Sequence, residues 1–497
     1  MSVRRRVVVV AIGAVVFAAC SRAGGPGTAD ESGGDAGGAP GAGGAAGDAG
    51  AVGAGGDGGA AGVGASAGVG GATWGSWGSA ALPDFGWAAP LCSPRGDGAS
   101  GAPADIGRDM APVVAPDAVA ALVAGNAELG LALYRDLGAA APTSNLFFSP
   151  YSISNALALA YVGARGETAQ QMASALHFTL DTPTLNAAFD SLDLALSSRA
   201  ATCDAITLSV VDGLWGDLSL TFDPSYLITL TTYYGTSVQT ANFAGAPEVA
   251  RAAINDWVAV ETAHLIPQLL AMGSITPDIR AVLVNALYLD AKWAHPFDAS
   301  RTKQAPFTRA DGSVTSVDMM TDDLRVGHAA GTNWEAVELP YAGGQLSLVI
   351  LLPAAGHFAE VEGALTGTFT VSVLASMSPA TATLSMPKLK FPGRTFSLKT
   401  ELARLGMMDA FSLAADFSGM TATDQLTIGD VFHQATITID ETGTVAAAAT
   451  AVVAEPISLI TSESPPQIIV DHPYILLIRD RPTGTVLFMG RVLDPQP

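Results

Sequence analysis

The feature that most constrains this chain is a run of ten uncharged residues near its C-terminal end. Residues 436–460 read TITIDETGTVAAAATAVVAEPISLI, and every side chain from Val445 to Ala454 is small or β-branched. Loops favour Gly, Pro, Asn, Asp and Ser, so this composition is atypical of a loop. One interpretation is an ordinary buried strand or short helix. The other is a segment that is exposed in one state and enters a sheet as a strand in another.

The first twenty residues predict an export signal. Arg4, Arg5 and Arg6 precede an apolar stretch from Val7 to Ala19 that is too short to span a bilayer. Small residues before Cys20 resemble the bacterial lipobox, with Phe17 in place of the usual Leu. We therefore predict a lipoprotein signal peptide over 1–20, lipidation of Cys20, and an outer-membrane or cell-surface location. The alternative is an ordinary secretory signal, which would leave the protein secreted or periplasmic.

Residues 21–112 predict a disordered Gly/Ala-rich tether. Positions 21–72 alone contain 22 Gly and 15 Ala. The segment therefore has too few large apolar side chains to offset the entropy that is lost when the chain becomes ordered. The aromatic side chains Trp74, Trp77, Phe85 and Trp87 follow among Gly, Ala and Pro, and they either dock on the next domain or belong to the linker, which is the interpretation we favour. Cys92 and Cys203 are the remaining thiols, and they either form a disulfide or stay free and buried.

Residues 113–497 have the pattern of one mixed α/β domain. Leu122, Leu129, Leu133 and Leu137 fall at helical spacing, with Gly138 as a stop signal. Continuous apolar runs predict strands that are covered on both faces, at 282–289, 346–352, 474–478 and 485–492.

The chemistry-bearing residues give no positive case for an enzyme. The chain has no zinc-type Cys/His spacing and no phosphate-binding loop, so we expect no metal and no cofactor. Acidic residues number 46 against 24 basic ones, for a formal charge of −22. This balance argues against nucleic-acid binding and against binding to an anionic membrane, so we expect membrane contact only through the N-terminal lipid.

A series of motifs in this domain resembles the serpin family of protease inhibitors. They occur in family order over about 350 residues: Asn145 to Ile153, Gly163 to Thr168, Val284-Asn285-Ala286, Lys292-Trp293, Glu338 to Tyr341, His433-Gln434-Ala435, His472-Pro473-Tyr474 and Phe488 to Val492. The resemblance implies a metastable α+β serpin fold with three β-sheets, about nine helices and an exposed reactive-centre loop. It also implies a monomer.

In this family a protease cuts the exposed loop, and the loop then inserts into the main sheet and traps the acyl-enzyme. The resemblance makes the start of the unusual segment the hinge, which comprises Glu441, Gly443, Thr444, Ala446, Ala447, Ala448 and Ala449. Family spacing counts seventeen residues from Glu441 to the reactive bond, which places it between Ile457 and Ser458, with Leu459 as the next candidate. An apolar residue at the cut suits elastase- or chymotrypsin-like serine proteases, and cysteine proteases are a further possible target class.

The resemblance also assigns conformational roles to buried groups. Ser149, Ser152, Asn285 and His433 match the shutter beneath the sheet that opens, and Trp293 matches the breach where insertion starts. Without the resemblance they would be ordinary core residues. The stretch from Arg165 to Ala200 has only Arg165 and Arg199 as basic residues, so we expect no sulfated-polysaccharide cofactor. Two alternatives stay open, a non-inhibitory serpin that acts as a surface binding protein and an unrecognised secreted hydrolase.

Overall fold

The longest helix follows directly from the leucine spacing. The computed structural model describes residues 107–202, 205–391, 393–422, 425–444 and 465–496. Helix α1, Pro116–Ala140, starts with a proline and buries Leu122, Leu129, Leu133 and Leu137. It is long and apolar enough to cross a membrane, but 67% of its most apolar window is buried inside the domain, as in a core helix.

Eight further α-helices occur in the described residues. They are α2 Pro150–Gly163, α3 Gly166–Ala175, α4 Thr182–Thr202, α5 Pro224–Tyr234, α6 Pro247–Glu261, α7 Phe358–Gly363, α8 Gly367–Ser376 and α9 Lys399–Arg404. The start of α2 is fixed by its sequence, because Ser149 caps the backbone N–H of Ser152 at 3.1 Å and Pro150 follows the cap. This cap brings Ser149 and Ser152 to a defined position under the sheet described next.

One hydrogen-bonded sheet contains the strands that carry most of the predicted site. Its members are β2 Ile206–Asp217, β3 Gln239–Ala241, β4 Ala281–Lys292, β10 Leu389–Phe391, β11 Phe396–Ser397, β12 Ile428–Ala435, β13 Ile437–Ile439 and β14 Gly443–Thr444. Strand β4 is central. It pairs along one edge with β2, and its other edge is shared between β12 and β14.

The second network of strands combines two groups. It contains β1 Leu146–Phe148, β5 Lys303–Thr308, β6 Val314–Ala330, β7 Trp334–Pro340, β8 Leu346–Pro353, β9 Ser378–Pro387, β15 Gln467–Ile469, β16 Tyr474–Asp480 and β17 Val486–Val492. Strand β6 is shared, because it pairs with β5 at its start and with β7 at its end. The first sheet and the two groups that share β6 together make three groups of strands in the two hydrogen-bonded networks.

The apolar runs found in the sequence are the buried strands β4, β8, β16 and β17, which confirms that prediction. The prediction that Gly138 ends helix α1 is wrong, since the helix continues to Ala140. Gly138 instead lies in a close contact inside the helix. A Cβ there would stand 3.1 Å from the guanidinium of Arg491, which also donates a hydrogen bond to the Gly138 carbonyl at 3.2 Å.

Candidate functional site

The backbone of the hinge at Gly443 lies so close to strand β4 that no side chain would fit between them. The Asp440 carboxylate accepts hydrogen bonds from the N–H and the hydroxyl of Thr442, at 2.8 and 2.7 Å, and so shapes the turn before Gly443. A Cβ at Gly443 would lie 2.2 Å from the carbonyl oxygen of Ala291. Glycine is therefore required here because the two backbones touch.

Gly443 and Thr444 form a short strand inside the sheet. Gly443 pairs with Lys292 and Thr444 with Ala291 on β4, while Thr444 also pairs with Ile439 on β13. The Thr444 side chain is 2% exposed, and its hydroxyl lies 2.7 Å from the Tyr341 hydroxyl. The segment predicted to insert has thus already entered the sheet with its first two residues.

Trp293, the predicted breach residue, forms hydrogen bonds with the backbone just before Gly443. Its indole N–H donates to the Asp440 carbonyl and its backbone N–H to the Thr442 carbonyl, both at 2.9 Å. The indole stacks on the Tyr341 ring with 4.7 Å between centroids. Aromatic packing and two hydrogen bonds therefore position the residues just before Gly443.

Glu441 fixes the outer side of the hinge. Its carboxylate pairs with the Lys388 ammonium at 2.8 Å and accepts from the Thr302 hydroxyl at 2.7 Å. Partial burial raises the pKa of the Glu441 carboxyl, but these partners outweigh it and leave the pKa below its ordinary value. Sequence spacing does not link Glu441 to either partner, because Thr302 follows the 3-10 helix Ala299–Arg301 and Lys388 lies between β9 and β10.

The four predicted shutter residues meet in one buried hydrogen-bond network where β4 and β12 pair directly. Nε2 of His433 accepts from the backbone N–H of Ser149 at 3.0 Å, so the imidazole proton lies on Nδ1 and is donated to Asn285 Oδ1. The Asn285 amide donates to the backbone carbonyl of Ser152 at 2.7 Å and also contacts its hydroxyl. Helix α2 and strands β4 and β12 are thereby connected.

A fifth member of this network, Asp212 on β2, was not predicted. Its carboxylate accepts from the amides of Asn155, at 2.5 Å, and Asn285, and from the Ser152 hydroxyl at 3.4 Å. Burial raises the pKa of the Asp212 carboxyl to about 7, although these hydrogen bonds act in the opposite direction. The available signal was a charged residue inside the apolar run from Val210 to Leu214.

The remaining predicted residues lie outside the described part of the chain. These are Ala446, Ala447, Ala448, Ala449, Ile457, Ser458, Cys20, Cys92 and Cys203. Among the residues that the structure describes, no three His, Cys, Asp or Glu side chains are grouped so that they could hold a metal ion.

Removing the His433 imidazole should destabilise the protein and flatten its response to acid. His433→Ala leaves the Ser149 N–H and Asn285 Oδ1 without partners, at a cost of roughly 1–3 kcal/mol each. Burial lowers the pKa of His433 to about 3, below the ordinary 6.5, so the wild type loses stability as the pH falls from 6.5 towards 3. By pH 5 this loss should reach about 2 kcal/mol, and it should be missing from the variant.

Urea unfolding at pH 7.5 and pH 5 measures both effects. The matched control is His357→Ala, which removes an exposed imidazole whose partner is Glu360 at 2.7 Å. Equal acid sensitivity in wild type and His433→Ala would contradict a neutral, network-bound His433.

Comparison with known proteins places this geometry in a family. The family model described as serpin (serine protease inhibitor) matches residues 124–495. Bovine leukocyte elastase inhibitor is 35% identical over 388 residues, which covers 75% of this chain and 99% of that protein. An uncharacterized serpin-like protein of Thermococcus kodakarensis is 36% identical over 364 residues, 73% of this chain and 83% of that protein.

Solved structures agree with the sequence relatives. Human thyroxine-binding globulin, crystallised in a ligand complex, superimposes with a TM-score of 0.70 at 27% identity, and the match covers 76% of this chain and 100% of that one. A tumour-suppressing serpin gives 0.67 at 26% identity, with 76% and 99% covered. These matches confirm the predicted α+β fold, and the chain belongs to the serpin family of serine protease inhibitors.

Proposed function

We propose that this serpin inhibits its target protease by acting as a suicide substrate. The protease serine would attack the carbonyl carbon of Ile457, the bond to the Ser458 nitrogen would break, and that nitrogen would leave as an amine with the proton. The loop on the Ile457 side, now an ester of the protease, would then enter the sheet between β4 and β12. Inhibition succeeds when insertion is faster than hydrolysis of the ester.

The single observation that carries this proposal is the position of Gly443 and Thr444. Both residues already pair with Lys292 and Ala291 of β4, on the same edge that β12 occupies as far as Leu287. The residues that would follow Gly443 and Thr444 into the sheet run from Val445 to Ala454, and all of them are small or β-branched. A strand of such side chains enters a packed sheet with little steric cost and suits its pleated surface.

Insertion requires a defined set of contacts to break. The parallel pairs between Leu283–Leu287 of β4 and Val431–Ala435 of β12 must separate, together with the hydrogen bond between His433 and Asn285. The incoming strand would replace the backbone hydrogen bonds, and its side chains would leave water. The shutter network would therefore set part of the barrier, and metastability would be kinetic.

The proposed target is a serine protease of elastase- or chymotrypsin-like specificity. Ile457 offers a medium-sized apolar side chain, which fits an apolar specificity pocket and not one built around an aspartate. Leukocyte elastase inhibitors of cattle, mouse and rat are among the similar proteins, at 34–35% identity. In this proposal the chain is a substrate-like inhibitor, not an enzyme, and it acts as a monomer without a cofactor.

A charge at Thr444 should convert the inhibitor into a substrate. Thr444→Arg would bury an unpaired guanidinium beside Tyr341, so insertion should be disfavoured and the cut loop should release the protease. The matched control is Thr442→Arg, because Thr442 is less buried than Thr444. Covalent complex on denaturing gels should fall at least tenfold in Thr444→Arg only. Equal complex yields from both variants would contradict insertion through this hinge.

The residue before the cut should set specificity. Ile457→Arg should shift inhibition from elastase-like to trypsin-like proteases, whose pocket contains an aspartate. Mass spectrometry of the wild-type complex should show cleavage after Ile457, or after Leu459 if the register is longer. A cut beyond Ile460 would refute the assignment of the reactive bond. Leu459→Arg is the matched control, because it places the same charge two residues after Ile457.

A non-inhibitory binding serpin is the second candidate. Thyroxine-binding globulin, one of the similar solved structures, was solved in complex with thyroxine. Failure of the wild type to form a covalent complex with any serine or cysteine protease in a panel would favour this alternative. Turnover of an ester or peptide substrate would instead favour a hydrolase.

We further propose that Cys20 carries a lipid and that residues 21–112 tether the inhibitor to the outer membrane or cell surface. The support is the positively charged start, the short apolar stretch and the small residues before Cys20. Cys20→Ser should move the protein from the membrane fraction to the soluble fraction, with Cys92→Ser as control. Unchanged partitioning of Cys20→Ser would show that the signal is not a lipoprotein signal.

A further inference from the structure

The strand that follows the predicted reactive-centre loop is attached to its sheet by few contacts. Strand β15, Gln467–Ile469, is three residues long, and among the described strands it pairs only with β9. The Val470 N–H continues this pairing by donating to the Ser385 carbonyl at 2.8 Å. Ile468 is buried, whereas Ile469 is 47% exposed, so β15 buries one large side chain. The contacts just after β15 therefore help to decide whether the strand stays paired.

His472 bridges two oxygen atoms at the end of this segment. Its Nδ1 lies 2.7 Å from Oδ1 of Asp471, and its Nε2 lies 2.6 Å from the carbonyl oxygen of Pro353. A carboxylate oxygen and a backbone carbonyl oxygen only accept hydrogen bonds, so both ring nitrogens have to donate. A neutral imidazole has a single N–H and can donate once. The contacts of His472 are therefore those of an imidazolium, which carries a hydrogen on each nitrogen.

This bridge connects the end of β15 to the interior of the sheet. Pro353 is the last residue of β8, which is buried along its whole length and pairs with β7 and β16. The backbone carbonyl of Asp471 also accepts from the Thr308 N–H at 2.8 Å, where β5 ends. The His472 side chain is 18% exposed, and hydrogen bonds from a charged donor are among the stronger ones in proteins. His472 and Asp471 thus tie the chain after β15 to the ends of β5 and β8.

We propose that His472 is a proton-dependent clamp that keeps β15 in its sheet. When the ring loses a proton, a bare nitrogen faces an oxygen lone pair at hydrogen-bonding distance, and that contact has to open. The chain after Val470 then has one anchor fewer, so β15 should leave β9 more often as the pH rises. Acid keeps both nitrogens protonated and closes the clamp, which is opposite in direction to its effect on His433.

Release of β15 bears on the proposed function, and this step rests on it. The chain between β14 and β15 is held in a sheet at both ends. Full entry of an uncut loop beside β4 would therefore require β15 to leave β9. A closed clamp would lengthen the time for which the uncut inhibitor stays active. The clamp itself does not depend on inhibition, and it can be measured without a protease.

Other titratable groups lie on the elements that meet at the clamp. They are Asp471, Arg309, Asp494, Glu335, His328, His357 and Glu360. Among the described residues, Asp471 is the one member of this set that forms an ion pair with His472. Histidine is the side chain whose charge ordinarily changes between pH 5 and 8, so a second histidine variant is needed as a control.

Nuclear magnetic resonance of the full chain, with nitrogen-labelled histidine, tests the protonation of the clamp directly. The ring signals of His472 are those that disappear in His472→Gln. At pH 7 both of its ring nitrogens should have the chemical shifts of protonated nitrogens. A bare ring nitrogen in His472 at pH 7 would overturn the clamp.

Hydrogen exchange read by mass spectrometry measures the release of β15 itself. The reporter is the Val470 amide, whose hydrogen bond to Ser385 breaks when β15 leaves β9. After correction for the intrinsic effect of pH on exchange, its protection in the wild type should fall about tenfold from pH 6 to pH 8, because one hydrogen bond to a charged group is lost. His472→Arg should remove this fall, since a guanidinium donates at both ends and stays charged. His472→Gln should have low protection at both pH values.

The matched control is His357→Gln, which removes an imidazole whose carboxylate partner is Glu360 at 2.7 Å. Its Val470 protection should change with pH as in the wild type. Constant protection in the wild type, or an equal fall in His472→Arg, would contradict the clamp, and neither measurement requires His472→Gln to fold.

The link to inhibition is tested separately by storing the protein without protease. The half-life of inhibitory activity should be at least threefold longer at pH 6 than at pH 8 in the wild type, and equal at both pH values in His472→Arg. Equal half-lives in the wild type, with the exchange result as expected, would overturn the link to loop insertion. Absence of inhibition with the same exchange result would refute only the proposed function.

Discussion

One edge of strand β4 pairs with β2, and its other edge is divided between two partners, β12 and β14. Residues Leu283–Leu287 pair with β12, and Ala291–Lys292 pair with β14. Buried backbone N–H and C=O groups need partners, so neither part of this edge can be left bare. Under the proposed mechanism, opening the sheet would exchange one strand for another with little net change in backbone hydrogen bonds. The driving force would then come from side chains that leave water, and the barrier from the contacts that break first.

The buried hydrogen-bond network beneath this edge of β4 would contribute more to the kinetic barrier against sheet opening than to the free energy of unfolding. Satisfied hydrogen bonds in a buried network contribute modestly, but each group left without its partner is costly. Ser149 and Ser152 are held by the start of α2, Asn285 by β4 and His433 by β12, so the network is complete only when these elements are together. The imidazole is neutral, which avoids burying a charge in the sheet. Asp212 extends the network to β2.

Sequence reasoning succeeded where information is local or where a family motif could be matched. The apolar runs located the buried strands, and the order of short motifs gave the fold and brought Ser149, Ser152, Asn285 and His433 together as candidates. It could not find Asp212, whose partners lie in other elements and are defined only by strand register. It also gave the wrong reason for Gly138. That residue lies inside the helix, where the guanidinium of Arg491, 353 positions later, packs against it and donates a hydrogen bond to its carbonyl. The insertion of Gly443 and Thr444 is likewise a matter of register, which no spacing rule expresses.

The order of the competing strands along the chain has a consequence for how the molecule is made. Strand β12 ends at Ala435, before the loop that competes with it for β4. A ribosome adding about 5–20 residues per second needs roughly one to four seconds to proceed from the end of β12 to Ile457. Strand β12 is therefore available to the β4 edge before its rival is synthesised, although their parallel pairing joins distant parts of the chain and forms more slowly than a hairpin. Under the proposed insertion mechanism, chain order thus favours the arrangement in which β12 holds this edge, and timing during translation would contribute to the stored free energy.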